Sequence, residues 1–235
     1  MRTYLLFIIL LLTFVACDEP WDCTVGHGPK VTRTLPVPNF HSFELAGSDK
    51  VFIRQGAEQE VRVEGQENII NLIDLKVRDG YWSVRFRDCT RRHNDLVYYI
   101  TLPEVKFMAV AGSGSIIAQN VLETSSLGLR VSGSGSISAE IDAASLNSEI
   151  NGSGDIHVGG ESPSAEVNIS GSGEYHAYNL LTNDYNIRIR GSGDAYVSAI
   201  NHIDVSISGS GDVYYKGTPT INSSISGSGK IIAKN

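Results

Sequence analysis

A Gly-Ser-Gly triplet recurs seven times from residue 112 onward, and its spacing limits what the chain can fold into. The triplets begin 18 to 21 residues apart, at Gly112, Gly133, Gly152, Gly171, Gly191, Gly209 and Gly227. Self-similarity at such a period is typical of solenoids, in which each repeat forms one turn and stacks on its neighbours. A flexible linker would lack apolar residues in constant phase with the triplet.

Such residues are present in every repeat. Two residues before the first glycine stands Val or Ile, from Val110 to Ile225. Polar and apolar residues then alternate to the sixth residue after it, which is the period of a β-strand with one buried face. Paired glycines with β-branched neighbours are unfavourable in helix interiors. The sequence therefore predicts an all-β, parallel β-solenoid of about 18–21 residues per coil. Strict alternation places both glycines inward at a corner and the serine outward.

The N-terminus has the features of an exported protein. Residues 1–16 carry a basic start and an apolar run too short to span a bilayer, which predicts a removable secretory signal. The ending Phe14-Val15-Ala16-Cys17 resembles the lipobox of bacterial lipoproteins, which implies a lipid on Cys17 and attachment to the membrane through it. An ordinary signal peptide or an uncleaved short anchor is the alternative.

The acidic pair after Cys17 resembles the tag that sends Bacteroidetes lipoproteins to the outer face of the envelope. In enterobacterial sorting, an Asp at that position favours the inner membrane instead. We expect an exported outer-membrane lipoprotein, either periplasm-facing or at the cell surface, and the leaflet stays open.

The remaining chain divides into three parts. Residues 17–39 contain four prolines and no period, which predicts a lipidated Cys17 followed by a tether. Residues 40–108 are β-rich and predict an N-terminal cap with the first coils, including a hairpin that turns at Asp79-Gly80 and a degenerate first coil at residues 45–51. Residues 109–235 form the repeat solenoid.

The cysteine count bears on disulfide formation, and the net charge limits the classes of binding partner. Without Cys17, Cys23 and Cys89 remain, and in an oxidising compartment they form either a disulfide or two free thiols. The formal net charge of −7 argues against nucleic acid or an anionic membrane surface as a partner, because both need a basic face.

Two outward columns arise when the repeats are stacked about 4.8 Å apart. The first is acidic and consists of Asp155, Glu174, Asp194 and Asp212. Crowded carboxylates could bind a cation, or they could form a solvated polar face. The second column carries rings and consists of His157, His176, Tyr196 and Tyr214. These rings could stack on the sugar rings of a glycan. Alternatively, the two histidines could ligate a metal. A third interpretation is that the tyrosines have no ligand and are present because tyrosine favours β-strands. We expect no cofactor.

The chain resembles a known family at residues 43–53, 61–65 and 77–86, at Leu102-Pro103 and in the serial triplets. These segments are similar to the auto-transporter adhesin head domain called GIN, which is common among Bacteroidetes. The resemblance covers residues 40–235. It implies a right-handed parallel β-helix and an adhesin-like role, and it carries over no catalytic residues.

Catalytic constellations are missing from the sequence. The triplet serines have no phased His–Asp partners, and no helix follows the triplets to hold a phosphate. The sequence therefore favours a non-catalytic binding or scaffold module of the cell envelope, with a glycan or protein ligand. The alternatives are a carbohydrate-active β-helix enzyme, a polysaccharide lyase or hydrolase using the acidic column, and a spacer without a ligand. The oligomeric state stays open.

Overall fold

A computed structural model describes residues 23–234 of the chain. The predicted signal at residues 1–16, the predicted lipidation site Cys17 and the start of the predicted tether lie outside the described residues. Within the described part, no helix is long and apolar enough to cross a membrane.

The N-terminal region consists of nine strands and one short helix. Its elements are β1 (Thr24–Val25), β2 (Lys30–Thr34), β3 (Ser42–Gly47), β4 (Lys50–Gln55), β5 (Glu60–Gln66), α1 (Glu67–Ile70), β6 (Val77–Arg78), β7 (Tyr81–Val84), β8 (Thr90–Arg91) and β9 (Val97–Leu102).

The repeat region is built from strands alone. They are β10 (Phe107–Gly112), β11 (Ser115–Ala118), β12 (Leu122–Gly133), β13 (Ser136–Gly152), β14 (Asp155–Glu161), β15 (Ser164–Gly171), β16 (Glu174–Gly191), β17 (Asp194–Gly209), β18 (Val213–Lys216), β19 (Thr220–Gly227) and β20 (Ile231–Ala233). The prediction of an all-β solenoid is confirmed: the strands wind into about seven turns.

Successive coils pair in parallel and keep their triplets in register. The first glycine of each triplet stands opposite the first glycine of the next, from Gly112 to Gly227. Gly112 also pairs with Gly47, which confirms the degenerate first coil. A translation by one coil therefore carries each residue onto its counterpart, and equivalent side chains form columns along the stack.

The solenoid core lies between the two strand segments of each coil. The Val or Ile two residues before the triplet is buried in six repeats, namely at Val110, Val131, Ile150, Ile169, Ile189 and Ile207. The residue four after the first glycine is buried from Ile116 to Val213. This alternating burial is what a strand with one apolar face requires.

The structure corrects the prediction that both glycines of the triplet face inward. Gly173, the second glycine of its triplet, is buried, whereas Gly171 is partly exposed. Gly171 has a φ of +124°, and a Cβ there would lie 2.3 Å from the carbonyl oxygen of Gly152. A positive φ turns the chain, so the ideal alternation does not hold through the corner. The first glycine is thus needed for its backbone conformation and for close stacking of the coils, not for an inward position.

An antiparallel sheet covers the N-terminal end of the stack. Strand β9 pairs in parallel with β4, β5 then pairs antiparallel with β9, and β2 pairs antiparallel with β5. The hairpin of β6 and β7 is confirmed, and its turn residues Asp79 and Gly80 have φ values of 51° and 72°. Covering a parallel edge in this way removes a template for unwanted pairing.

The predicted tether at residues 17–39 extends too far. Strand β2 belongs to the sheet, and Val31 and Leu35 pack against the core while Val37 is buried. Four prolines interrupt the alternation in this segment and hide the short strand from a pattern search. Cys23 and Cys89 form a disulfide with a Cα–Cα distance of 4.7 Å, beside the parallel pair β1–β8.

The opposite end of the stack is open in the described residues. Ile225 is 42% exposed, although its six counterparts are buried. Its side chain has a coil on one side only.

Candidate functional site

One outward column runs along the whole sheet, from the cap to the last coil. The strand register places in it Arg62, Tyr99, Phe52, Ile117, Ser138, His157, His176, Tyr196, Tyr214 and Ile232. The four predicted ring residues are thus neighbours on consecutive coils, as the spacing required. We refer to His157, His176, Tyr196 and Tyr214 as the ring ladder.

The rings of the ladder stack face to face. Centroids are 4.5 Å apart between His157 and His176, 4.8 Å between His176 and Tyr196, and 4.9 Å between Tyr196 and Tyr214. Interplanar angles are 2°, 5° and 7°. The separations match the distance between coils, so each ring lies flat on the ring of the next coil.

Stacking along the rod decides which part of each ring meets a ligand. The faces of His176 and Tyr196 are covered on both sides by neighbouring rings, and the Nζ of Lys234 lies 5.1 Å from the ring centroid of Tyr214. The rings therefore present their edges outward, with imidazole nitrogens and phenol hydroxyls. A ligand along the ladder meets hydrogen-bonding edges, which differs from the sugar-stacking platform that the sequence suggested.

The acidic column lies beside the ladder and bonds to the backbone of the adjacent coil. A carboxylate oxygen of Asp155 accepts from the N–H of Glu174 at 3.2 Å, and Asp194 accepts from the N–H of Asp212 at 2.7 Å. Asp212 accepts from the N–H of Lys230 at 2.7 Å. These bonds give three of the four carboxylates a structural role at the corner.

Two carboxylates also contact the ladder. Glu174 Oε2 lies 3.0 Å from His176 Nε2, and the hydroxyl of Tyr214 donates to Asp212 at 3.2 Å. The acidic column thereby orients ring edges two residues further along the same strands.

The geometry of the described residues gives no support to metal binding by the two histidines, which the sequence left open as an alternative. Across residues 23–234, no group of three or more His, Cys, Asp or Glu side chains is arranged to hold a metal ion. His157 and His176 lie flat on each other, and imidazoles that converge on a metal must direct their in-plane nitrogens at it.

Local environment shifts the pKa of three ladder residues. Desolvation, followed by the carboxylate of Asp212, raises the pKa of Tyr214. Partial burial, followed by the neighbouring imidazole of His176, lowers the pKa of His157 below its ordinary value. Burial together with the carboxylates of Glu174 and Asp194 raises the pKa of Tyr196 to about 12. At neutral pH the phenol of Tyr196 is therefore protonated and can donate a hydrogen bond.

Sequence reasoning missed several residues beside the ladder. Tyr178 packs edge-on against Tyr196 at 5.7 Å, and the Nζ of Lys216 lies 4.6 Å from the Tyr178 ring centroid. Tyr99 and Phe52 extend the ring column into the cap and stack at 5.5 Å. The register shift after Ala177 hides Tyr178 from a fixed period, and the cap coils lack the triplet that sets the phase.

A family model matches most of this chain. The family model described as "Putative auto-transporter adhesin, head GIN domain" matches residues 39–219. The chain belongs to this family. No protein of curated function matches it.

Solved structures show the same fold in full. A protein from Bacteroides fragilis described as a "putative adhesin" is 25% identical with a TM-score of 0.84, covering 89% of this chain and 99% of its own. A "putative lipid binding protein" from Parabacteroides distasonis is 24% identical with a TM-score of 0.76, covering 90% and 99%. A "putative adhesin" from Parabacteroides merdae is 19% identical with a TM-score of 0.72, covering 90% and 99%.

Proposed function

We propose that this GIN-family chain is an exported lipoprotein of the cell envelope and acts as a non-catalytic, adhesin-like binding module. Its ligand is a glycan that lies along the ring ladder. The lipobox-like ending at Cys17 supports anchoring in the outer membrane, on its periplasmic or its outer side. The adhesin descriptions of the family and of two similar structures support a binding role.

The observation that carries the proposal is the outward edge of the ladder. Four stacked rings give a row of hydrogen-bonding groups at the spacing of the coils, between 4.5 and 4.9 Å. Carboxylates stand beside the row at the same spacing. Sugars carry many hydroxyls that both donate and accept, so a repeating edge of this kind can contact successive units of a chain.

Rigid elements hold the row in place. The ladder stands on paired strands, and its rings support one another, so little side-chain entropy is lost when a ligand binds. A binding module gains affinity from such preorganisation without any reacting group.

The experiment is a glycan array probed with the full chain purified in detergent. The test variant replaces the ladder: His157→Ser, His176→Ser, Tyr196→Thr and Tyr214→Thr. The matched control is a variant on the strand segments before the triplet, Asn186→Ser, Asp204→Ser and Asn222→Ser, which changes a polar column in the same coils. Retention of a glycan by wild type and control but not by the ladder variant supports the proposal. Equal retention by all three, or by none, contradicts it.

The same array separates binding from catalysis. A carbohydrate-active enzyme would use the acidic column, and it would shorten the bound polysaccharide. Cleavage by wild type that disappears in Asp155→Asn, Asp194→Asn, Asp212→Asn would replace the proposed role with a lyase or hydrolase. We expect bound glycan to be recovered intact, because those carboxylates are engaged by backbone N–H groups.

A further inference from the structure

The ring column is interrupted at one position, Ser138. On one side of it Tyr99 and Phe52 stack, followed by Ile117. On the other side the ladder begins with His157, which stands opposite Ser138 in the register. Serine has no ring, so the face of His157 directed at this coil has no aromatic partner, while its other face is covered by His176.

A groove of about 240 Å³ lies at this interruption. We call it the Ser138 notch. Its lining includes Ser138, Glu140, His157, His176, Tyr178 and Asn179. The notch thus combines one free ring face with a carboxylate, an amide and hydroxyl groups, which is the mixture that orients a polar ligand.

Gly159 gives the carboxylate of Glu140 its position. A Cβ on Gly159 would lie 2.6 Å from both carboxylate oxygens of Glu140, and the glycine has no positive φ. The backbone conformation at position 159 therefore does not require glycine. The lack of a side chain there leaves space for the Glu140 carboxylate. Among the described residues, no Lys, Arg or His forms an ion pair with Glu140.

We propose that the Ser138 notch binds one neutral pyranose unit, whose C–H face lies on the free face of His157 and whose hydroxyls bond to Glu140 and Asn179. This inference rests on the proposed glycan-binding function and names its primary subsite. A sugar in the notch takes the place of the missing ring and continues the column from Ile117 to His157. Vicinal hydroxyls suit a carboxylate, which accepts two hydrogen bonds.

Charge selects a neutral sugar over an acidic one. Glu140 lines the notch, Glu174 lies on the edge of His176, and the whole chain carries a net charge of −7. A carboxylate on the ligand would be repelled by the carboxylates of Glu140 and Glu174. The lowered pKa of His157 favours its neutral imidazole, and among the residues that the structure describes no Lys or Arg lines the notch. The Nζ of Lys216 lies on the ring of Tyr178, 4.6 Å from its centroid.

Three single substitutions test the notch on an array that carries both neutral and acidic oligosaccharides, and each variant is the full chain in detergent. Ser138→Tyr fills the notch with the missing ring. Gly159→Ala keeps the notch open but displaces the Glu140 carboxylate, a flexible group that can move at little cost to the fold. Ser206→Tyr places the same ring on an exposed position of β17, and it is the control for added aromatic surface.

We expect at least a tenfold loss of apparent affinity for Ser138→Tyr and about a tenfold loss for Gly159→Ala, since hydrogen bonds to a charged group contribute to binding at this scale. Ser206→Tyr stays within about twofold of wild type. Thermal melting of each variant confirms that its fold is retained.

The outcomes separate the notch from the wider proposal. If wild type binds neutral glycans, the ladder variant does not, and both notch variants bind like wild type, the notch is overturned and the ladder function stands. If wild type retains only acidic glycans, the charge argument and the notch fail together. If wild type retains no glycan, both proposals fail.

Discussion

At the scale of single residues, the first glycine of each triplet meets two separate requirements. Its φ lies in a region that side chains with a Cβ rarely adopt, as at Gly171 with +124°. Its Cα also approaches the carbonyl oxygen of the coil beneath, where an added Cβ would come within 2.3 Å. Gly47 in the first coil has a similar φ of +122° but no atom within 4 Å of the added Cβ.

This difference predicts unequal costs for the same substitution. Gly47→Ala loses about 1–3 kcal/mol of unfolding free energy through backbone strain alone. Gly171→Ala loses a further 1–3 kcal/mol, roughly, because a backbone oxygen must move. Urea unfolding of both variants measures the difference. Equal losses would show that coil stacking places no demand on the first glycine.

His157 predicts a pH dependence of stability with a definite sign. The pKa of His157 is about 6.5 in the unfolded chain and lies below this value in the folded chain. At a pH between the folded and the unfolded pKa, the unfolded chain therefore binds more protons than the folded chain. Unfolding free energy therefore falls as pH drops below about 6.5 and levels off beneath the folded pKa. Denaturant titrations of wild type and His157→Asn across this window isolate the contribution, because the variant lacks it. A wild-type curve parallel to the variant curve would contradict the shift.

The sequence predicted which residues form the ladder but not how its rings lie. Columns follow from spacing, because one translation relates all coils, and His157 and His176 stand opposite each other as expected. Ring orientation depends on side-chain rotamers and on the neighbouring ring, and neither is encoded in the period. The pairing of Glu140 with Gly159 also follows from spacing, because each lies seven residues after a first glycine. The position of the Glu140 carboxylate beside Gly159 depends on its rotamer and could not be predicted.

At the scale of elements, an interior coil is stabilised by a neighbour on both sides, whereas the last described coil has a neighbour on one side only. Ile169 in β15 is 1% exposed, whereas Ile225 in β19 is 42% exposed although it occupies the same place in its coil. The strands themselves are equivalent in sequence pattern, so the difference lies in what covers them.

We expect the cost of deleting this side chain to follow its burial. Ile169→Ala leaves a cavity and lowers the unfolding free energy by about 3 kcal/mol, while Ile225→Ala lowers it by less than about 1 kcal/mol. Equilibrium unfolding in urea gives both values. Similar losses at the two positions would indicate that another surface covers β19 in solution.

The sequence identified the elements with strong local signals and missed those without them. The β6–β7 hairpin was predicted from Asp79-Gly80, because few dipeptides favour two successive positive φ values. Strand β2 was assigned to a tether, because prolines flank it and its partner β5 lies some 30 residues away in the chain. Its pairing depends on the cap as a whole, which no local pattern reports.

At the scale of the whole molecule, the two ends of the rod differ. The N-terminal end carries the antiparallel sheet and the disulfide of Cys23 and Cys89, and it leads to the predicted lipid on Cys17. The coils with the ladder follow this end in the chain. This order suits a module that is held at one end and binds along its length.

If Cys17 carries a lipid anchor, its substitution should move the protein from the membrane fraction to the soluble fraction. Cys17→Ser removes the attachment point, so the protein should leave the membrane fraction and lose incorporated fatty acid label. Cys23→Ser removes the disulfide with Cys89 but not the lipid attachment point, and it should keep both membrane association and fatty acid label. Membrane association that survives Cys17→Ser would favour an uncleaved anchor.

The central claim is that the ladder face, and not the rest of the rod, meets the ligand. Nuclear magnetic resonance of the protein with 13C-labelled His and Tyr rings tests this directly, during titration with a neutral oligosaccharide retained on the array. We expect the largest shifts at His157 and His176, smaller shifts at Tyr196 and Tyr214, and none at His202, which lies beside Asp184 on the strands before the triplet. Shifts centred on His202, or rings of the ladder that do not respond to a bound glycan, would contradict the account.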